Sequence, residues 1–207
     1  MDKILELAIG DYAGIRQEYR TRLYAEILDY LANNGNLTAK RNGALKAATE
    51  AFNAAGDLGY TDGGGSLDEP DPDFNEWLGT RLDIELANIR NLFEQLKQTR
   101  KDPEFTTQEA YDIANTRADG YMATLDSIYN ESKLRGGRNI MLTFGGQDGH
   151  GPEFPCPECK QLKGKRHRAK WFVSRGLVPF PGNPNFTCGN WRCQHFLYTD
   201  DGKVFTV

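Results

Sequence analysis

A chain of 207 residues with 39% apolar and 11% aromatic side chains has enough material to close a core, and its length fits one domain or two small ones sharing an interface. Charged residues at 26% and a net charge of −4 exclude a membrane-buried protein, and the opening Met1-Asp2-Lys3-Ile4-Leu5-Glu6-Leu7 carries too short an apolar run for a secretory leader or membrane anchor, so we expect a protein kept in a reducing cytosol. The charge is lopsided: residues 150–207 hold nine basic and four acidic side chains, which leaves +5 there and −9 in the rest, and the two ends are expected to meet different neighbours.

Ile4, Ala8, Tyr12, Ile15, Tyr19, Leu23, Ile27 and Leu31 recur at three- or four-residue steps and predict one long helix, stopped by Asn33-Asn34-Gly35. A second helix is expected from an N-cap at Thr38 through the Ala-rich stretch to about Ala55, with Gly56 in the terminating position. From Gly56 to Asp73 the composition turns to glycine and acid, which predicts a long loop. Pro72 then suits the start of a third helix, whose Leu82, Leu86, Ile89, Phe93 and Leu96 step as a bundle seam does. Thr106-Thr107-Gln108-Glu109 has the form of a capping box and predicts a fourth helix, with Ala110, Ile113, Tyr121, Leu125 and Ile128 facing the bundle and Gly136-Gly137 closing it. Beyond this the periodicity shortens. Residues 140–144, 171–173, 192–199 and 203–207 read as strands, the last two joined by an Asp201-Gly202 turn.

The expected fold is therefore mainly α: a helical bundle over residues 1–136, then a small α/β or β-rich module over 137–207 with a terminal hairpin.

All four cysteines lie in that module, as Cys156-Pro-Glu-Cys159 and Cys188-Gly-Asn-Trp-Arg-Cys193, with His195 two residues on. Two close pairs separated by a loop can bring soft ligands from two turns onto one tetrahedral Zn²⁺. The expected ligands are Cys156, Cys159, Cys188 and Cys193, with His195 as the alternative to Cys193, because residues two apart on a strand share a face. The competing reading is four reduced thiols packed in a small core. Glu158, between the first two ligands, is expected to point outward as a turn residue instead of serving a catalytic metal.

Lys163, Lys165, Arg166, Arg168 and Lys170 form a basic run ahead of Trp171-Phe172. It can neutralise phosphates while the aromatics stack on bases, or it can be a solvated loop that balances cysteinate charge, with Trp171 and Phe172 in the core. Gly164-Lys165 lacks the Ser or Thr and the upstream glycines of a phosphate loop, and the acids of 68–73 lack the register of a calcium hand. His150 has no evident acid or nucleophile partner, and no catalytic triad can be assembled, so no enzymatic activity is expected.

Ala110-Tyr-Asp-Ile113-Ala114-Asn-Thr116, then Cys156-Pro-Glu-Cys159 with Leu162-Lys-Gly164-Lys165, then Asn183-Pro184-Asn185 leading to Arg192-Cys193, resemble the phage head morphogenesis proteins of the Mu F type over roughly the last half of the chain. Arg117 stands where the family usually has Glu, and Asn183 where it has His. The resemblance implies a structural minor head protein of a tailed phage or prophage. It would be found in the virion, and in the host cytoplasm during assembly, with a portal or capsid protein as partner. It would form homo-oligomers in the particle, lie near packaged DNA and have no membrane contact. The alternatives are a zinc-ribbon nucleic-acid-binding protein and a His-Asn-His-type nuclease.

Overall fold

The computed structural model describes residues 11–147, 155–179, 183–188 and 194–205. They form four long helices, α1 (Tyr12–Ala32), α2 (Leu37–Asp62), α3 (Pro72–Thr99) and α4 (Thr107–Gly136). These are followed by β1 (Met141–Gln147), α5 (Pro157–Leu162), β2 (Arg166–Arg168), α6 (Ala169–Ser174) and β3 (Gln194–Tyr198). The protein is mainly α with a small sheet near its end, as expected. Among the described residues no helix is long and apolar enough to cross a membrane.

The chain divides into two compact units, Met1–Ala55 with Asp71–Leu125, and Gly56–Pro70 with Asp126–Val207. This differs from a boundary at 136. The last turns of α2 and α4 approach each other closely, and Leu134 of α4 shares the core of the C-terminal module. The beginning of α1 expected from Ile4 lies outside the described residues.

In the first unit, Ile15, Tyr19, Leu23, Ile27 and Leu31 of α1 are buried as their spacing requires. Tyr19 meets the edge of Phe52 of α2, Tyr30 packs on Phe93 of α3, and Arg20 of α1 bonds Asp119 of α4 at 2.6 Å. One helix thus touches the other three, which makes a bundle. Asp71 caps α3, accepting from the Asp73 N–H, with Pro72 in the first turn. The capping box of α4 is present in full: Thr106 Oγ1 accepts from the Glu109 N–H at 3.2 Å, and Glu109 accepts from the Thr106 N–H at 2.8 Å.

Two expectations for α2 are corrected. Asn36, not Thr38, caps it, accepting from the Ala39 N–H at 3.0 Å. The helix also runs past Gly56 to Asp62, so the acidic loop is shorter than expected.

In the second unit the sheet order is β2-β1-β3, all antiparallel. Leu142, Phe144 and Leu197 point into a core shared with Leu134 of α4, Phe172 of α6 and Phe205. The expected strand 171–173 is instead part of α6, and β2 lies inside the basic run read as loop. The terminal hairpin turns where expected, Gly202 having φ +79° and its N–H bonding to the Thr199 carbonyl at 2.9 Å. Its return arm makes an isolated bridge, Tyr198 to Val204, in place of a full strand.

Candidate metal centre

The segment that carries the first two cysteines is the short helix α5, of six residues. Cys156 is its N-cap, and Pro157 fits the first position, where no backbone N–H is needed. Lys160 and Lys163 N–H groups bond to the Cys156 and Cys159 carbonyls, both at 2.9 Å. The exit is then pinned to the sheet. Gly164, at φ +79°, donates to the Phe144 carbonyl at 2.8 Å, and Phe144 donates to the Lys165 carbonyl at 3.0 Å. Glycine is needed here because that left-handed backbone is costly for other residues.

The loop after α6 brings in the third cysteine. Asn183, 1% exposed, donates to the Gly176 and Val178 carbonyls at 2.9 and 2.7 Å and accepts from the Asn185 N–H at 2.9 Å. It is a loop staple. Phe186 stacks on Phe144, and Cys188 follows two residues later.

The result is convergence. Sγ of Cys188 lies 3.4 Å from Cys156 and 3.9 Å from Cys159, and all three sulfurs lie within 4.8 Å of one another. A disulfide needs about 2.05 Å, whereas four sulfurs around Zn²⁺ at about 2.3 Å stand about 3.8 Å apart. The donor set therefore fits a soft divalent ion. Its electrostatics point the same way: burial, then the neighbouring Cys156 and Cys188, push the Cys159 thiol far above its ordinary range. A thiol placed like that of Cys159 ionises readily only when a cation joins it.

Glu158 is oriented by Thr187. Its carboxylate accepts from the Thr187 N–H at 3.1 Å and from the Thr187 hydroxyl at 3.0 Å, and these bonds, the backbone one first, hold its pKa below the usual carboxylate value. Residue 158 lies between two cysteines and residue 187 beside the third, so the pair clamps the two turns together. The spacing of the cysteines gave no hint of this clamp. Glu158→Ala is expected to weaken zinc binding roughly 10- to 100-fold, as loss of groups that orient metal ligands does, read by competition with a chromophoric chelator.

Cys193 lies outside the described residues. His195 is buried on β3, its ring stacked on Phe144 at 5.1 Å, and it is not among the side chains that converge. Of the basic run, Arg166 pairs with Asp200 (2.9 and 2.5 Å), Arg168 donates to Asn139 at 3.2 Å, and Lys163, Lys165 and Lys170 are exposed. Phe172 is in the core, and Trp171 is occupied by His167, stacked at 3.8 Å, and by Arg175, 4.4 Å over the ring. These two aromatics are not offered to bases. No protein-family model, curated protein or solved structure matches this chain.

Proposed function

We propose that the protein is a structural, non-enzymatic minor head component of a tailed phage or prophage, acting in head morphogenesis at the portal or inner capsid. Its C-terminal unit is a zinc-clasped platform. The observation that carries the platform is the meeting of three thiols with Glu158, whose two carboxylate oxygens both bond to Thr187, so that the neighbouring acid is a clamp and not a proton carrier. The head assignment rests on the order of motifs from Ile113 to Cys193. The protein would serve as an oligomer contacting a portal or capsid subunit, in the virion and, during assembly, in the host cytoplasm. Mass spectrometry of gradient-purified particles from a host carrying the gene tests this directly. A few copies per particle are expected, and absence from particles that contain portal would refute it.

Zn²⁺, when bound, would be held by Cys156, Cys159 and Cys188, with Cys193 as the fourth ligand. Cys193→Ser is expected to lower the zinc retained per chain in the presence of a competing chelator, while His195→Gln retains it. The reverse pattern would hand the fourth position to His195. A His-Asn-His nuclease draws less support, since His167 is stacked on Trp171.

A further inference from the structure

Paired residues in an antiparallel sheet project to the same side. The register therefore sorts the sheet into two faces: Leu142, Phe144, His167, His195 and Leu197 on one, and Met141, Thr143, Gly145, Arg166, Arg168, Phe196 and Tyr198 on the other. The first is the core side already described. The second holds no fully buried residue, and Val204, bridged to Tyr198 at its border, is 50% exposed.

Two aromatic rings on a partly exposed sheet face are unusual company for water. Phe196 and Tyr198 meet edge to face, with centroids 6.4 Å apart. Gly145, opposite Phe196, carries no side chain, and Tyr198 leans over it, an added Cβ there lying 3.3 Å from its ring. In the neighbouring row Thr143 lies between Tyr198 and Arg166, and Arg168 lies opposite Met141 further along the same face, with Lys165 and Lys170 flanking them in sequence. A charged edge strand by itself serves only to block pairing with another sheet; cations on the same face as a pair of partly exposed rings suit a different occupant.

We propose that this face is a docking platform for single-stranded nucleic acid, with bases stacked on Phe196 and Tyr198 and phosphates held by Arg166 and Arg168. Single strands expose both a π-surface and a phosphate chain, and proteins that take them without strong sequence preference combine stacking rings with a basic track. The Arg166 pair with Asp200 does not stand in the way. Both partners are half or more exposed (50% and 61%), and such pairs are worth little in water, so a phosphate can displace the carboxylate. The inference stands whether or not the protein is a head component.

The test uses the full zinc-loaded chain and fluorescence anisotropy of labelled oligothymidylate and oligouridylate of about 12 nucleotides, with a duplex of equal length, at about 50 and 200 mM salt. Micromolar binding of the single strands is expected at the lower salt, with the duplex bound more weakly. Phe196→Leu with Tyr198→Leu, which keeps apolar bulk but removes the rings, is expected to weaken binding by about tenfold or more at unchanged zinc content. Arg166→Gln with Arg168→Gln is expected to flatten the salt dependence. Thr143→Glu with Val204→Glu, both changes on the solvated side, is expected to abolish binding without touching the core. No binding at low salt, or binding equal for duplex and indifferent to the leucine and glutamate variants, would overturn the proposal.

Discussion

Stripping zinc is expected to unfold the C-terminal unit while leaving the first unit folded. Structural zinc contributes about 10–16 kcal/mol of apparent binding free energy, against a total stability of about 5–15 kcal/mol for a whole domain. A module whose core is a three-stranded sheet, two six-residue helices and the last turns of α2 and α4 cannot absorb that loss. Hydrogen exchange after chelation should show amides of β1, β2 and β3 losing protection, with those of α1 and α3 keeping it. Cys156→Ser should do the same without a chelator. Uniform protection after verified metal removal would mean that thiol packing alone holds the module.

Acidity should separate the two forms. In the zinc-loaded protein, protons compete for the thiolates, so stability falls as pH drops. The metal-free fold has the opposite sign. Its Cys159 thiol, raised mainly by burial, stays protonated while the unfolded chain ionises, so whatever fold persists loses stability as pH rises past the ordinary thiol value of 9.0.

Filling the crossing of α2 and α4 is expected to have the next largest effect. Near this crossing a Cβ added at Gly136 would lie 2.0 Å from the Tyr60 carbonyl oxygen, and one at Gly63 would lie 2.1 Å from that of Lys133. Both obstacles are backbone, so the helices themselves must separate. Overpacking of this kind costs about 1–3 kcal/mol and sometimes more, and we expect Gly63→Ala and Gly136→Ala each to reach the upper end in urea denaturation of the zinc-loaded protein. Gly79 and Gly120 are the internal controls: both are helical, and an added Cβ at either meets nothing within 4 Å. Alanine there should be neutral or stabilise by up to about 1 kcal/mol. Equal midpoints for Gly136→Ala and Gly120→Ala would show that the close approach is not needed.

That crossing also explains why α2 ran longer than its sequence suggests. Gly56 looks like a terminator, yet Phe52, Gly56, Gly59 and Gly63 continue a 4-3-4 step and all are buried. The glycines form a stripe of small residues, with another backbone close to Gly59 and Gly63, and a single chain does not say which of the two uses they serve. Elements with local chemical signatures were legible: the α1 stripe, Pro72 after an acidic cap, the Thr106–Glu109 box and the Asp201-Gly202 turn. The short elements were not. The alternation of β2 is carried by Arg, His and Arg, so its half-buried middle residue was masked by polarity, and Trp171-Phe172-Val173 has strand composition but is wound into α6 against the core. At the metal centre the spacing pointed to three sulfurs that do meet. The Glu158–Thr187 clamp depends on a loop closing across 29 residues, and no local pattern carries that information.

X-ray absorption at the zinc edge of the purified, zinc-loaded chain tests the sulfur clasp most directly. One ion per chain with a shell dominated by sulfur at about 2.3 Å is expected, losing one sulfur in Cys188→Ser. A shell of oxygen and nitrogen, or a folded protein that takes up no zinc at all, would contradict it.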